Sequence, residues 1–519
     1  MSDKETGSFY TPPELVQFMV SYVKDRVKSD VTLEPCVGDG RFVGALSSIC
    51  SRIKAIEISK QKIKTIKKAH KWNEKIDFEC ADFIQYAFDH NEKYDLVIGN
   101  PPYISKKNIF EEQRKASIAI LEDFGLSISL FQNLWVSFIL ASLKLLEQGG
   151  TIFFVLPFEF LQVQYAEKLR NFLESKFNTI EIITFEERVF KDIEQDICLV
   201  FLSNEAEAKS YIKYTTMKSP ATSNVIFDSV IKRNKPLAKW SNCILNDDET
   251  EFIHRISSKY VKIGTVGNIS PGIVTGANDF FILDKIHIDD LQVSKKNQLE
   301  IITKSSDITH KFIFTDDDFD NLSQNNKKVY LLNLNGLDRK DFSDFLIEYL
   351  EKGEEEEIDK RYKCASRKRW YDVPIVKNGE ICFFKRYNKF PRLIINENHI
   401  YTTDIAYNIR FFDKYDPKSF AFCFYNSLTL TMCEYYGRFY GGGVGELVPS
   451  EFKALPIPYT FVDMSFIKRV DEMICKNERF ENIIDFVDKT VLDLNDQERR
   501  LLRKIRNRFL QRRLNGRFQ

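Results

Sequence analysis

No Cys-x-x-Cys pair occurs among the ten cysteines of this chain. Scattered single cysteines exclude zinc ribbons and disulfide scaffolds and fit a reducing, cytoplasmic setting. No run of about eighteen apolar residues is present, so no membrane span is expected. Met1 to Ser8 is polar, without the apolar core of a secretory signal. Neither sign of charge prevails: 75 Lys and Arg balance 75 Asp and Glu, so the whole chain is not a polyelectrolyte. Internal repeats, low-complexity tracts and a strict Gly-x-Gly-x-x-Gly are also missing. The last absence makes a dinucleotide fingerprint a poor match.

What is present is ample material for globular folding. The 519 residues are 43% hydrophobic, too many for one core, so about two or three domains are expected. The first half alternates strand and helix signals. Strands are read at Val31–Glu34, Ile53–Ile58, Ile76–Cys80, Tyr94–Ile98, Thr151–Leu156, Ile180–Phe185 and Ile197–Leu202. Helices fall at Arg41–Cys50, Ser59–Lys71 and Phe131–Glu147, the last stopped by Gly149-Gly150. Such alternation predicts an α/β domain with a largely parallel sheet and helices on both faces. The pattern weakens over Asn204–Ser241. The expected division is therefore 1–241, an aromatic-rich second domain at 242–469, and a basic helical segment at 470–519. The acidic run Glu351–Ile358 and the basic run Lys360–Arg369 read as solvated loops.

Chemistry concentrates at strand ends. The strand from Tyr94 stops at Asn100-Pro101-Pro102-Tyr103. Prolines cannot extend a sheet, so the chain turns there and holds the Asn100 side chain and the Pro101 carbonyl at the carboxyl end of a strand. That is where open α/β sheets place their ligands. Two fixed acceptors beside the Tyr103 ring suit the gripping of an amino group on a planar substrate. Upstream, Leu33 to Gly40 carries Glu34, Cys36, Gly38, Asp39 and Gly40, with glycines where backbone approaches a ligand closely. The acids would repel a pyrophosphate. A cationic ligand fits better, and S-adenosylmethionine carries a sulfonium and an ammonium. Glu57 ends the next strand, where an acid commonly binds ribose hydroxyls. Asp82 follows the third and could accept from an adenine amino group.

In this order the motifs resemble the γ-type adenine-N6 DNA methyltransferases of restriction–modification systems, the TaqI-like methylase family. Gly7 to Glu14, including Tyr10, Thr11 and Pro12, is similar to the family segment that closes over the methionine end of the cofactor. Val189-Phe190-Lys191 resembles the later motif whose aromatic packs on the target base. Gly272 to Asn278, and Tyr440 to Pro458, look like pieces of the C-terminal recognition domain. Cys36-Val37-Gly38 departs from the small triplet common at that point.

The resemblance implies a Rossmann-like S-adenosylmethionine-dependent methyltransferase sheet followed by an α+β DNA-recognition domain. It adds Ile58, Phe83 and Pro102 to the cofactor set. It implies Asn100, Pro101, Tyr103 and Phe190 as catalytic residues acting on a base flipped from duplex DNA. Phe131 and Asn133 are expected near the cofactor adenine, and Trp135 in the core. Lys363, Arg367, Arg369, Lys385 and Arg386, interleaved with aromatics, are candidates for DNA contact, and the basic carboxyl-terminal helix for phosphates. Glu451-Phe452-Lys453 lacks an upstream Pro-Asp and is given no cleavage role, so a cognate endonuclease is expected on a separate chain. No metal is expected. Cytosine-N4, RNA guanine or protein glutamine methylation, and a non-catalytic DNA-specificity module, remain open alternatives.

Overall fold

A computed structural model describes residues 10–69, 72, 74–190, 196–204, 210–222, 224–233 and 236–514. The expectations on Gly7 to Phe9, Lys71, Lys191 and Arg517 lie outside these residues. The described chain divides into two compact units. One comprises residues 10–251, 438–443 and 511–514, and the other 252–437 and 444–510. The division falls ten residues past the expected boundary. Trp240–Ile244 is a helical turn, and Ser229 Oγ donates to the Cys243 carbonyl within the first unit.

Nine strands build the sheet of the first unit: β1 (Val31–Glu34), β2 (Arg52–Glu57), β3 (Ile76–Cys80), β4 (Tyr94–Gly99), β5 (Leu146–Pro157), β6 (Thr179–Phe185), β7 (Ile197–Ser203), β8 (Tyr211–Met217) and β9 (Val225–Lys232). Their order is β3-β2-β1-β4-β5-β7-β6-β8-β9. The first five are parallel. β7 then runs antiparallel to both β5 and β6, and β9 antiparallel to β8. The sheet is therefore mixed: parallel over its first five strands and again between β6 and β8. β8 and β9 occupy the stretch where the sequence pattern faded. β9 is exposed at most positions, so it lacks the apolar run that marks a strand covered on both faces.

Seven helices flank this sheet: α1 (Pro13–Lys24), α2 (Arg41–Leu46), α3 (Lys60–Ala69), α4 (Phe83–Asp89), α5 (Glu111–Asp123), α6 (Leu134–Leu145) and α7 (Glu167–Lys176). Alternation along β5 sorts two layers. Phe153 and Val155 join Leu15, Met19 and Val23 of α1 in one core. Ile152, Phe154 and Leu156 meet Ile139 of α6 and Leu173 of α7. α6 ends at Leu145 rather than Glu147, and Gly149-Gly150 lies within β5. β1 and β4 are neighbours although β2 and β3 intervene in sequence. Their following loops part, and this opens a crevice at their carboxyl ends.

The second unit is α+β. A five-stranded sheet is ordered Gly267–Pro271, Ala406–Phe411, Ile381–Phe384, Arg392–Asn396 and Ile313–Phe314. A four-stranded one contains Gln298–Ile302 and Tyr330–Leu332. The acidic run is the end of a helix, Asp344–Glu355, and not a loop. The carboxyl-terminal region is helical at Met464–Cys475, Phe480–Val491 and Asp496–Leu514. Its arginines are largely spent internally. Arg506 is buried, Arg503 pairs with Asp485, and Arg513 Nη1 donates to the Gly443 carbonyl at 2.6 Å. Arg506 and Arg513 are thus committed to packing rather than to phosphates, while Arg500 and Lys504 are exposed. Among the described residues no helix is long and apolar enough to cross a membrane.

The turn after β1 depends on Gly40, whose φ is +85° and whose added Cβ would stand 3.1 Å from Ile66 Cγ2. Gly40→Ala should lose about 1–2 kcal/mol of unfolding free energy in urea titration, the cost of a left-handed L-residue. An unchanged midpoint would contradict this.

Candidate active site

The crevice holds a cavity of about 970 Å³. Its floor begins at Glu34, the last residue of β1, which is 0% exposed. Glu34 emerges into Pro35 to Gly40, a turn that needs positive φ at Gly38 (+59°) and Gly40. Glu57, ending β2, braces this turn: Gly38 N donates to Oε2 at 3.0 Å and Ser59 N to Oε1 at 2.9 Å. Asp82 caps α4 through Ile84 N (3.0 Å) and Gln85 N (3.1 Å), and Gln113 Nε2 donates to its second oxygen at 2.5 Å. Asp39 pairs with Arg41 Nε at 2.9 Å.

Glu34 differs from these acids. Both of its oxygens are buried, and neither meets hydrogen-bond geometry with a described residue. Burial, aided by the Asp39 and Glu57 charges, pushes its carboxyl well above the usual carboxylate range. A buried carboxyl on a cavity wall suits a cationic or donor group.

Asn100 follows β4 directly. Its Nδ2 donates to Thr11 Oγ1 at 3.1 Å, and its carbonyl accepts from Cys36 Sγ at 3.1 Å. Pro101 and Pro102 continue along the cavity wall. Burial holds the Cys36 thiol well above its ordinary pKa. It is therefore a neutral donor to the Asn100 carbonyl.

Most of the expected cofactor residues line this cavity: Tyr10, Thr11, Glu34, Cys36, Gly38, Asp39, Glu57, Ile58, Asp82, Phe83, Asn100 and Pro102, with Pro101 beside them. Pro12 and Gly40 do not reach the wall; Pro12 precedes α1 and Gly40 shapes the turn. Tyr103 and Phe190 share a neighbouring core instead, Phe190 buried and Tyr103 packed against it with its hydroxyl on the Val155 carbonyl at 3.1 Å. Phe131 and Asn133 are absent from the wall, where Leu134 and Phe138 stand. Trp135 is buried edge-on to Phe160, as core.

Sequence reading missed Arg41, Phe110 and Gln113 on the wall. Phe110 and Ile58 on that wall are exposed apolar side chains, at 55% and 59%. That exposure is a three-dimensional signal, invisible in a segment without periodicity. Among the described residues no cluster of His, Cys, Asp and Glu is arranged to hold a metal ion.

In the second unit, four of the five expected DNA contacts have internal partners. Arg367 donates to the Thr275 and Val274 carbonyls at 2.5 and 3.1 Å, bracing the Gly272 to Asn278 loop. Arg369 forks onto Asp372 at 2.8 and 3.0 Å. Lys385 pairs with Asp404, and Arg386 with Glu446, both at 3.4 Å. Lys363 is exposed, as are Arg361 and Lys368.

The Eco57I restriction-modification methylase family matches residues 42–190 of the chain, from just past the Gly turn through Phe190. The C-terminal domain of the type II methyltransferase M.Eco57I matches residues 237–492. This chain belongs to the type II restriction–modification methyltransferases. Its family places it beside type II methyltransferase M.AccI of Acinetobacter calcoaceticus, 25% identical over 529 residues and covering 94% of each chain. Type II methyltransferase M.HindII of Haemophilus influenzae is 26% identical over 384 residues, covering 63% of this chain and 67% of that protein. The solved type IIL restriction-modification enzyme MmeI shares the fold, with a TM-score of 0.59 at 10% identity over 96% of this chain and 75% of that one.

Because its pKa is raised by folding, Glu34 favours the native state below its unfolded pKa and costs stability once pH rises enough to ionise it. Glu34→Gln should therefore raise the thermal midpoint of the ligand-free protein near neutral pH. The gain should vanish below about pH 4, where the carboxyl is protonated folded or unfolded. Equal midpoints at both pH values would show that the carboxyl is solvated.

Proposed function

We propose that this methyltransferase transfers a methyl group from S-adenosylmethionine to the N6 amino group of an adenine flipped out of duplex DNA. We infer that it acts in the cytoplasm and protects its sites against a cognate endonuclease carried on another chain. The observation that carries this reading is the placement of Asn100 and Pro101 on the same cavity wall as the buried Glu34 carboxyl.

The cavity fits the methyl donor on its own terms. Glu34 suits a cationic centre, Glu57 lies where ribose hydroxyls are held, and Asp82 and Phe83 stand beside the apolar side chains of Leu134, Phe138, Phe110 and Ile58 for an adenine ring. S-adenosylmethionine supplies, when bound, a methyl carbon activated by a sulfonium.

The chain's own residues prepare the acceptor. An exocyclic adenine nitrogen is a weak nucleophile because its lone pair is delocalised into the ring. Asn100 Oδ1 and the Pro101 carbonyl accept its two hydrogens, draw the nitrogen toward a tetrahedral shape and free the lone pair. They also stabilise the positive charge that develops on it. The surplus proton leaves to solvent, so no strong base is required. Flipping costs a few kcal/mol. Aromatic stacking, worth about 1–3 kcal/mol per ring, would offset it; Tyr103 and Phe190 lie in the core beside the cavity and would have to be uncovered as the base enters to supply it. Exposed Lys363, with Arg361 and Lys368, is assigned to phosphates. Arg367, Arg369, Lys385 and Arg386 contribute by holding the recognition loops.

Transfer of a tritiated methyl group to duplex DNA, followed by nucleoside analysis, tests the reading. N6-methyladenine is the expected product; N4-methylcytosine, or label in RNA or protein alone, contradicts it. Asn100→Ala should reduce transfer about 100-fold or more. It should leave S-adenosylmethionine affinity within about tenfold, or 1.4 kcal/mol.

A further inference from the structure

An amide such as that of Asn100 is a donor at one end and an acceptor at the other, in nearly the same shape. Gripping an amino group requires the oxygen end to face the target, in a fixed plane. The packing of carbon atoms around it cannot enforce that choice, whereas a hydrogen-bond partner can. Thr11 supplies the acceptor in this arrangement, and its hydroxyl, which could also donate, holds the plane of the amide in either case. It is 6% exposed, so water scarcely competes, and its Oγ1 accepts from Asn100 Nδ2 at 3.1 Å. The nitrogen end is thereby turned toward Thr11 and the oxygen end away from it.

Thr11 lies ahead of α1 and needs an anchor of its own. Arg41, the first residue of α2, supplies it: Nη1 donates to the Thr11 carbonyl at 2.8 Å. The Arg41 guanidinium is steadied in turn by Asp39 Oδ2 at 2.9 Å. Asp39, Arg41, Thr11 and Asn100 form one chain of polar contacts along the cavity wall.

We propose that Thr11 and Arg41 are positioning residues for the Asn100 amide, setting the orientation in which its oxygen meets the target nitrogen. The inference rests on the adenine-methylating reading of the site.

Single-turnover methylation at saturating S-adenosylmethionine tests it. Thr11→Val keeps the shape but removes the acceptor, and should slow transfer about 10- to 100-fold, as expected for a misplaced reacting group. Because Thr11 also lines the cofactor cavity, the rate is compared at saturating S-adenosylmethionine whatever the change in its dissociation constant; Thr11→Ser should recover the rate to within about threefold, under 1 kcal/mol. Arg41→Met should cost less in the Thr11→Val background than alone, because both act through one amide. Equal rates for Thr11→Val and wild type, equal loss in the Ser and Val variants, or a loss confined to S-adenosylmethionine binding would overturn it. Should the wild-type chain methylate no DNA, the proposed function fails. The side-chain amide NMR signal of Asn100, located by its loss in Asn100→Asp, then decides the inference separately. A signal shifted by Thr11→Val supports the placement; one unmoved overturns it.

Discussion

Everything in the first unit converges on the corner where β4 ends and two prolines begin. β4 is buried along its whole length, with β1 on one side and β5 on the other. The prolines withhold their N–H groups, so the backbone leaves the sheet with the Asn100 side chain and the Pro101 carbonyl in the crevice. Cys36 from the turn after β1 and Thr11 from the segment before α1 both bond to Asn100. A residue held at side chain and backbone at once presents a defined geometry, which is what catalysis by positioning requires.

The acids around the cavity divide into two kinds. Asp39, Glu57 and Asp82 are satisfied by local partners and shape the loops that carry them. Glu34 is buried with neither oxygen in hydrogen-bond geometry to a described residue. Folding takes a carboxyl out of water there with little to compensate it beyond the Val43 backbone N–H, a cost that sites bear when binding recovers it. Phe110 and Ile58 add apolar surface to the same wall.

The site was legible in the sequence where backbone and chemistry coincide. Asn100-Pro101-Pro102, Gly38 and Gly40 force turns, and Glu34, Glu57 and Asp82 stand at strand ends, so their convergence followed from an alternating α/β pattern. Residues whose role depends on a distant partner were not legible. Arg367 looked like a DNA contact until the Thr275 carbonyl was found beneath it, and Arg513 looked like a phosphate ligand until it met Gly443. A basic side chain reads the same in sequence whether it faces solvent or buries its fork against carbonyls. β9 was missed because its outer position leaves it half polar, and Arg41 because its task is to hold a backbone oxygen, for which no motif exists.

The most direct measurement is a crystal structure of the protein with a non-reactive S-adenosylmethionine analogue and duplex DNA containing its site. The account predicts an extruded adenine whose N6 lies about 2.7–3.2 Å from both Asn100 Oδ1 and the Pro101 carbonyl oxygen. A target base that stays stacked in the duplex, or an extruded one whose amino group bonds to neither oxygen, would contradict it.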